Sequence, residues 1–267
     1  MENFIENKDW LGRGLSTYAF GWDHFLFIFV AISLGVLAAF LLKGKPRKVV
    51  KIVLISLWGF YVTLELFTYI YLYSHPDLHP FNIEENLPLH SCLMCMYIFP
   101  IAIFAKNKYV QTAACNFLVI INMIMGFITM FVGCPAPGCS PFSFFGFQTL
   151  AYHALDVIIP LIMLVTGYYD IKKNDVYLGL LVFGTLSTVV YIFDAITGCD
   201  YFYFYDGHKF PVFDFISKAV PHHTIWSLIV MASYVITAFV MHFAVIGIKY
   251  LINKHKKKPK EPQPTEN

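Results

Sequence analysis

The chain has 267 residues, 58% of them hydrophobic and 13% charged, with a net charge of +2 and a mean hydropathy of +0.61. This composition excludes a soluble globular domain, indicates an integral membrane protein, and leaves no reason to expect a nucleic-acid partner. Apolar runs of about 20 residues cross a bilayer as helices, because lipid offers no partner for free backbone groups. Seven such runs follow in chain order: 18–42, 49–73, 88–105, 109–132, 148–170, 176–197 and 224–251. The predicted fold is all-α, a polytopic seven-transmembrane helix bundle whose third span is the shortest.

The predicted bundle forms one domain, residues 1–253, and a basic, proline-containing tail follows at 254–267. We expect this tail to be disordered, and its lysines to be attracted to anionic lipid of the inner leaflet. The first 17 residues do not form a basic amino-terminal region, so no cleaved signal peptide is expected.

The distribution of basic residues predicts the orientation of the bundle. Of the 19 Lys and Arg residues, 15 lie in alternate segments: 43–51, 106–108, 172–173 and 249–260. The intervening loops 74–86 and 133–147 contain none. Because cytoplasmic loops carry the excess of Lys and Arg, the N-terminus is predicted outside and the C-terminus in the cytoplasm of a multi-pass protein.

Several ionisable residues lie inside the predicted spans, mostly in their outer halves. They are Asp23, His24, Glu65, His90, His153, Asp156 and Asp194. Each intramembrane charge costs about 2.5 to 3.5 kcal/mol on insertion scales, so such residues are usually functional or paired. His153 and Asp156 are three residues apart and share one helix face. The inner halves hold few ionisable groups, His242 being the exception. We therefore predict one pocket that opens toward the outer leaflet, with structural pairing between helices as the alternative.

Two cysteines, Cys134 and Cys139, bracket the sequence CPAPGC in a predicted outer loop. An oxidising compartment would allow a disulfide between them, and free thiols are the alternative. The Cys and His spacing matches no compact zinc site, so neither a metal nor another cofactor is expected.

Four stretches resemble the YwaF-like integral membrane family of bacteria. They are FGWDHFLF (20–27), LPLHSCLMCMYIFP (87–100), FSFFGFQTLAYHALDV (142–157) and TGCDYFYFYDGHKFP (197–211). The resemblance covers nearly the whole chain and implies a location in the bacterial cytoplasmic membrane. This family is also similar to a eukaryotic transmembrane group that includes a phospholipid acyltransferase, in which a cysteine and a histidine are thought to carry acyl transfer.

The resemblance implies site residues in this chain. The histidine of those relatives falls in a pattern similar to YHALDVIIP, which maps onto His153. Their cysteine falls in an N-P-C-H stretch, where this chain has Leu89, and the nearest thiol is Cys92, one turn later on the same face. The implied catalytic residues are Cys92 as nucleophile, His153 as base and Asp156 as the group that orients the imidazole.

Two functions from different classes follow from these residues. The first is a lipid acyltransferase or acyl hydrolase that acts on membrane lipids. The second is a small-solute or ion binding or transport protein that uses the His/Asp/Glu cluster. The inner halves offer no second polar set, and no internal repeat is evident, which favours the first. A metal-dependent hydrolase ranks third because no helix carries an H-x-x-x-H pair. No oligomeric state is predicted.

Overall fold

The computed structural model describes residues 21–75, 87–132, 143–204, 218, 220 and 223–256. Regular secondary structure in these parts of the chain is entirely helical, which confirms the predicted all-α polytopic fold. The helices are α1 (Trp22–Leu42), α2 (Arg47–Ser74), α3 (Cys95–Phe104, preceded by the 3₁₀ turn Ser91–Met94), α4 (three consecutive segments, Lys108–Phe117, Leu118–Asn122 and Met123–Val132), α5 (Phe144–Val165), α6 (Asp175–Thr197) and α7 (His223–Lys256).

Six of these helices, all except α3, are long and apolar enough to cross a membrane. The shorter apolar element Ser91–Phe104 covers about 21 Å at 1.5 Å per residue, against roughly 30 Å for the hydrocarbon core. The structure therefore contains six full-length candidate spans among the described residues. The seven-span count and the orientation stay predictions.

The surface of the bundle is apolar, and its centre is α5. Large hydrophobic side chains such as Phe29 and Leu41 on α1 and Ile236 on α7 are exposed. In the most apolar window of α5 67% of the residues are buried, compared with 17% in α1. Exposed apolar surface on this scale suits contact with lipid acyl chains. The chain is thus a multi-pass membrane protein in which α5 is enclosed by its neighbours.

Polar caps define where several helices begin and end. The side chain of Asn107 accepts hydrogen bonds from two backbone N–H groups in the first turn of α4, at 2.8 and 3.3 Å. Ser143 does the same for α5 by accepting from the N–H of Gly146 at 3.1 Å. α6 ends at Gly198, whose φ of 76° favours glycine and whose N–H donates to the carbonyl of Asp194 at 2.8 Å.

The short helix α3 is held in place by α2. Pro100, inside α3, has no N–H to donate to the carbonyl of Met96, four residues earlier. The indole Nε1 of Trp58 on α2 donates to that carbonyl at 3.1 Å instead. At the other end of α3, Nζ of Lys51 donates to the carbonyl of Ile103 at 3.3 Å. Contacts from α2 thus replace helical hydrogen bonds that α3 cannot make internally.

Glycines allow close approach between neighbouring helices. A Cβ on Gly35 of α1 would lie 2.4 Å from Cγ1 of Ile158 on α5. A Cβ on Gly179 of α6 would lie 2.2 Å from Oδ1 of Asn116 on α4. Both distances are far below van der Waals contact, so an added side chain at either crossing would force Ile158 or Asn116 to shift. Small residues play this role at helix interfaces in membranes.

Candidate functional site

The two ionisable residues of α5 lie inside the bundle. His153 is 2% exposed and Asp156 is fully buried, and Nδ1 of His153 lies 3.8 Å from Oδ2 of Asp156. At about 1.5 Å per residue, Asp156 is roughly 18 Å along a helix of about 32 Å, close to its middle. The separation is too long for a direct hydrogen bond but close enough for a small rotation to form one. The spacing of three residues does place both groups on one buried face.

The Asp156 carboxyl is approached by two polar groups without reaching hydrogen-bond geometry. These are the thiol of Cys95, in the first turn of α3, and the side-chain amide of Asn122, on α4. Among the described residues, neither carboxyl oxygen of Asp156 has a hydrogen-bond partner, and the same holds for Nδ1 of His153 and the amide of Asn122. Unpaired buried polar atoms are costly and uncommon in folded proteins. Their concentration at one place marks this cluster as the candidate site.

The backbone around Asp156 is irregular on both facing helices. Leu118–Asn122 forms a π-helical segment within α4, and such segments are frequent at functional sites. One turn later, a Cβ on Gly126 would lie 2.6 Å from Cβ of Asp156 and 2.8 Å from the carbonyl oxygen of His153. On α5 itself, Pro160 cannot donate to the carbonyl of Asp156. Gly126 therefore fixes how closely α4 approaches the pair.

The 3₁₀ turn before α3 brings Cys92 to the same region. The hydroxyl of Tyr61 on α2 donates to the carbonyl of Cys92 at 3.1 Å, which anchors the turn. The carboxyls of Asp156 and Glu65 both lie within electrostatic range of the Cys92 thiol. Asp156 is also the group beside Cys95. Asp156 therefore lies beside His153 and Cys95, and its carboxyl is within electrostatic range of Cys92.

His153 has further neighbours on its other sides. Its ring lies 4.4 Å, between centroids, from that of Tyr152, and it is within electrostatic range of His90. The His90 ring packs edge-on against Tyr201 at 4.8 Å. His90 therefore connects the α5 pair to the aromatic turn that follows α6.

Glu65 of α2 is hydrogen-bonded to a side chain of α5. It is 5% exposed, and its Oε2 accepts a hydrogen bond of 2.7 Å from Nε2 of Gln148 on α5. A buried carboxylate with a strong donor is well accounted for as a link between α2 and α5. Glu65 lies next to the candidate site, and Oε2 of its carboxyl group is engaged in this link.

The turn after α6 carries backbone strain beside His90. Phe202 and Tyr203 have φ values of 50° and 58°, a region that bulky residues seldom adopt. From α7, Nε1 of Trp226 donates to the carbonyl of Tyr203 at 2.8 Å, and Oγ of Ser227 donates to the carbonyl of Phe204 at 2.6 Å. Strain of this kind persists only where surrounding contacts enforce it, and it is concentrated at functional sites.

The remaining predicted residues lie farther along the bundle or outside the described residues. Asp23 and His24 are buried in the first turn of α1, where His24 contacts the backbone of Met130, about one turn beyond Gly126 on α4. Asp194 is buried in the last turn of α6. The proposed disulfide between Cys134 and Cys139 lies outside the described residues. Within those residues, no three His, Cys, Asp or Glu side chains are grouped to hold a metal ion.

Comparison with known proteins identifies the family. The sequence pattern of the TMEM164 family matches residues 19–252, most of the chain and all of the site described above. The chain belongs to the TMEM164 family. No curated protein and no solved structure matches it.

Asn122 is the main residue of this TMEM164-family site that the sequence analysis did not predict. Asn122 is not ionisable, and its amide lies inside the apolar run FLVIINMIMGF. A polar amide in the middle of such a run was the available signal, because it too needs a partner in lipid. Gln148 was missed for the same reason.

A second buried polar network joins α4, α6, α7 and the connection between α5 and α6. Nδ2 of Asn116 donates to the hydroxyl of Tyr169 at 3.1 Å and lies 3.3 Å from Nδ1 of His242. The hydroxyl of Tyr169 donates to Oδ2 of Asp175 at 2.8 Å, and Nε2 of His242 lies 3.1 Å from the carbonyl of Lys173. Burial raises the pKa of Tyr169, which keeps this donor protonated. The helix halves that were predicted to be inner therefore hold a polar set in addition to His242, contrary to the expectation.

Proposed function

We propose that this TMEM164-family protein is a membrane-embedded lipid acyltransferase or acyl hydrolase. The observation that carries the proposal is the buried His153–Asp156 pair near the middle of the central helix, with the thiol of Cys95 beside Asp156 and that of Cys92 within electrostatic range of it. The resemblance to the YwaF-like family and to the eukaryotic acyltransferase group supports it. On the same resemblance, the protein resides in a bacterial cytoplasmic membrane.

The first half of the proposed reaction forms a thioester. His153 accepts the thiol proton of Cys92, and Sγ attacks the ester carbonyl carbon of a membrane lipid. The ester C–O bond breaks, and the proton on His153 passes to the leaving oxygen, which releases a lyso-lipid. The enzyme then holds the acyl chain as a thioester on Cys92. Thiol activation by an adjacent imidazole is the standard requirement of such chemistry.

The second half transfers the acyl chain. A hydroxyl of an acceptor lyso-lipid, or water in the hydrolase variant, gives its proton to His153 and attacks the thioester carbonyl. The C–S bond breaks, and the sulfur regains the proton from His153. Each half returns the imidazole to its starting state, so no other reactant is required.

Two neighbours are suited to support this chemistry. Asp156, 3.8 Å from Nδ1 of His153, can orient the imidazole and stabilise its protonated form after a small rotation. The buried, unpaired amide of Asn122 supplies an N–H that can stabilise the negative oxygen of a tetrahedral intermediate. Both are positioned by helices rather than by loops, which favours a fixed geometry.

The choice of nucleophile lies between two thiols. Cys92 is the residue nearest in sequence to the cysteine position of the eukaryotic group, and it lies in a 3₁₀ turn anchored by Tyr61. Cys95 is fully buried and lies directly beside Asp156. We retain Cys92 as the proposed nucleophile because it is half-buried and more accessible to a lipid.

The test uses an iodoacetamide that carries a fatty acyl chain, applied to the purified full chain. Cys92 should be alkylated, and His153→Ala should reduce its labelling rate at least tenfold, because the thiolate depends on the imidazole. Asp156→Asn should reduce it less. Cys115→Ser is a matched control, since Cys115 is a buried thiol near the N-terminal end of α4. Lipid acyl turnover that persists in the Cys92→Ser, Cys95→Ser double variant would refute cysteine catalysis.

The second candidate function is binding or transport of an ion or small solute. The observation that favours it is the buried network of Asn116, Tyr169 and His242, which adds polar groups on the other side of Asn122 along α4. Proteoliposomes loaded with a pH-sensitive dye would report a proton path. Flux that is lost in Asp156→Asn and also in His242→Phe, without any acyl turnover, would favour this function over the first.

A further inference from the structure

A cavity of about 260 Å³ lies at the end of the bundle opposite the Cys95 region. We call this end, formed by the connections 43–46, 105–107 and 166–174, the basic end. Three cations line the cavity: Arg47, Lys108 and Lys172. Buried side chains form its floor, among them Cys115 and Tyr169. The cavity is separate from the Asp156 site, and the acyl-transfer reaction proposed above makes no use of it.

Arg47 is held in a fixed position at this cavity. Its Nη1 donates to the carbonyl of Tyr168 at 3.0 Å, and its guanidinium carbon lies 4.1 Å from the centroid of the Tyr168 ring. Within the described residues, its hydrogen bonds are all to Tyr168, through the backbone carbonyl and the side chain. A guanidinium with several remaining donors and a fixed plane is the preferred partner for a phosphate.

The helix directions add to the positive potential. Arg47, Lys108 and Asp175 are the first residues of α2, α4 and α6, so three helix N-termini meet at this cavity. Each N-terminus carries about half a positive charge from the aligned peptide dipoles. Helices α1, α3 and α5 end on this side with the opposite dipole, but none of their residues lines the cavity, so the three N-termini add to its positive potential.

The two carboxylates at the cavity are already engaged. Oδ2 of Asp175 accepts hydrogen bonds from the hydroxyl of Tyr169 at 2.8 Å and from the backbone N–H of Lys172 at 2.9 Å. Asp170 forms an ion pair with Lys249 of α7. No described residue accepts a hydrogen bond from Nζ of Lys108 or Lys172. The cations that remain available at the cavity outnumber the available carboxylates.

We propose that this cavity is a binding site for a phosphate-bearing headgroup, held by Arg47, Lys108 and Lys172. Its volume is below the roughly 300 to 1,000 Å³ of pockets for drug-sized ligands, which suits a headgroup rather than a whole lipid. Basic pockets between transmembrane helices on the cytoplasmic side are typical of sites for anionic lipid headgroups. A soluble phosphate ester presents the same chemistry.

The test measures equilibrium binding to the detergent-solubilised full chain by titration calorimetry. The ligands are a short-chain phosphatidylglycerol, a short-chain phosphatidylcholine, and glycerol 3-phosphate. Arg47→Gln and the double variant Lys108→Gln, Lys172→Gln are each expected to weaken binding of the anionic ligand about tenfold. The double variant guards against a folding defect in Arg47→Gln, because both lysines are exposed. Lys45→Gln is the matched control, from the same basic connection but outside the lining of the cavity.

The results distinguish the two phosphate sources. Tight binding of phosphatidylglycerol alone, lost in both variants and kept in Lys45→Gln, supports a lipid headgroup site. Binding of glycerol 3-phosphate with the same dependence supports the site with a soluble ligand. Affinities that do not change in either variant, or that fall equally in Lys45→Gln, overturn the proposal and indicate only non-specific attraction to a basic surface.

Discussion

Replacing Gly126 by alanine tests whether α4 and α5 meet as closely as the candidate site requires. The added Cβ would lie 2.6 Å from Cβ of Asp156 and 2.8 Å from the carbonyl oxygen of His153. Because comfortable contacts between carbon atoms begin near 3.5 Å, the helices must separate by about 1 Å. Overpacking of this kind costs about 1 to 3 kcal/mol. A shift of about 1 Å at reacting groups is also enough to lower a catalysed rate about a hundredfold.

Gly184→Ala provides the matched comparison. Gly184 is also inside a transmembrane helix, but a Cβ there meets no atom within 4 Å. Both substitutions gain up to about 1 kcal/mol of helix propensity, so their difference isolates the contact with Asp156. At about 2 to 4 °C per kcal/mol, the unfolding midpoint of Gly126→Ala should be roughly 2 to 12 °C below that of Gly184→Ala in the same detergent. Equal midpoints would refute the close approach of α4 to Asp156.

Further predictions concern the supports of α3 and α4 and the orientation of the chain. Trp58→Phe should destabilise the protein by about 1 to 3 kcal/mol, because the carbonyl of Met96 loses its donor. In a Pro100→Ala background the destabilisation caused by Trp58→Phe should be smaller, because the restored backbone N–H of residue 100 can donate to the carbonyl of Met96. A double-mutant cycle measured by chemical unfolding would show this difference. Asn107→Ala should cost about 1 kcal/mol and Asn107→Asp much less, measured by the same unfolding. A reporter enzyme that is active only in the cytoplasm should be active when it is fused after Asn267. Activity of a reporter that works only outside the cytoplasm, fused at the same position, would contradict the predicted orientation.

Hydropathy predicted most of the helices because lipid contact imposes a simple requirement on composition. The run 176–197 coincides with α6, Asp175–Thr197, to within one residue. The run predicted at 148–170 is shifted relative to α5, Phe144–Val165. Helix α5 begins before the predicted run because Ser143 caps the aromatic stretch. It ends before the run does because the backbone of Gly167, with φ of 71°, leaves the helical region.

The candidate site was only partly accessible to sequence reasoning. The spacing of three residues was sufficient to place His153 and Asp156 on one face of a helix. The position of Asn122 depends on a π-helical segment. Such a segment does not change the average hydropathy, so a hydropathy profile cannot predict it. The pairing of Asn116 with His242 joins residues 126 positions apart, and it depends on how three helices pack. Periodicity within one helix carries no information on such contacts.

The irregular segment of α4 explains how one helix serves both polar clusters. Asn116 precedes Leu118–Asn122 and faces α6 and α7, whereas Gly126 follows it and faces α5. A regular helix advances about 100° per residue, so the wider π turn changes the face presented by every residue after it. That rotation lets Asn122 approach Asp156 while Asn116 keeps its bonds to Tyr169 and its contact with His242. The polar network near the basic end and the Asp156 cluster are therefore linked through the backbone of α4.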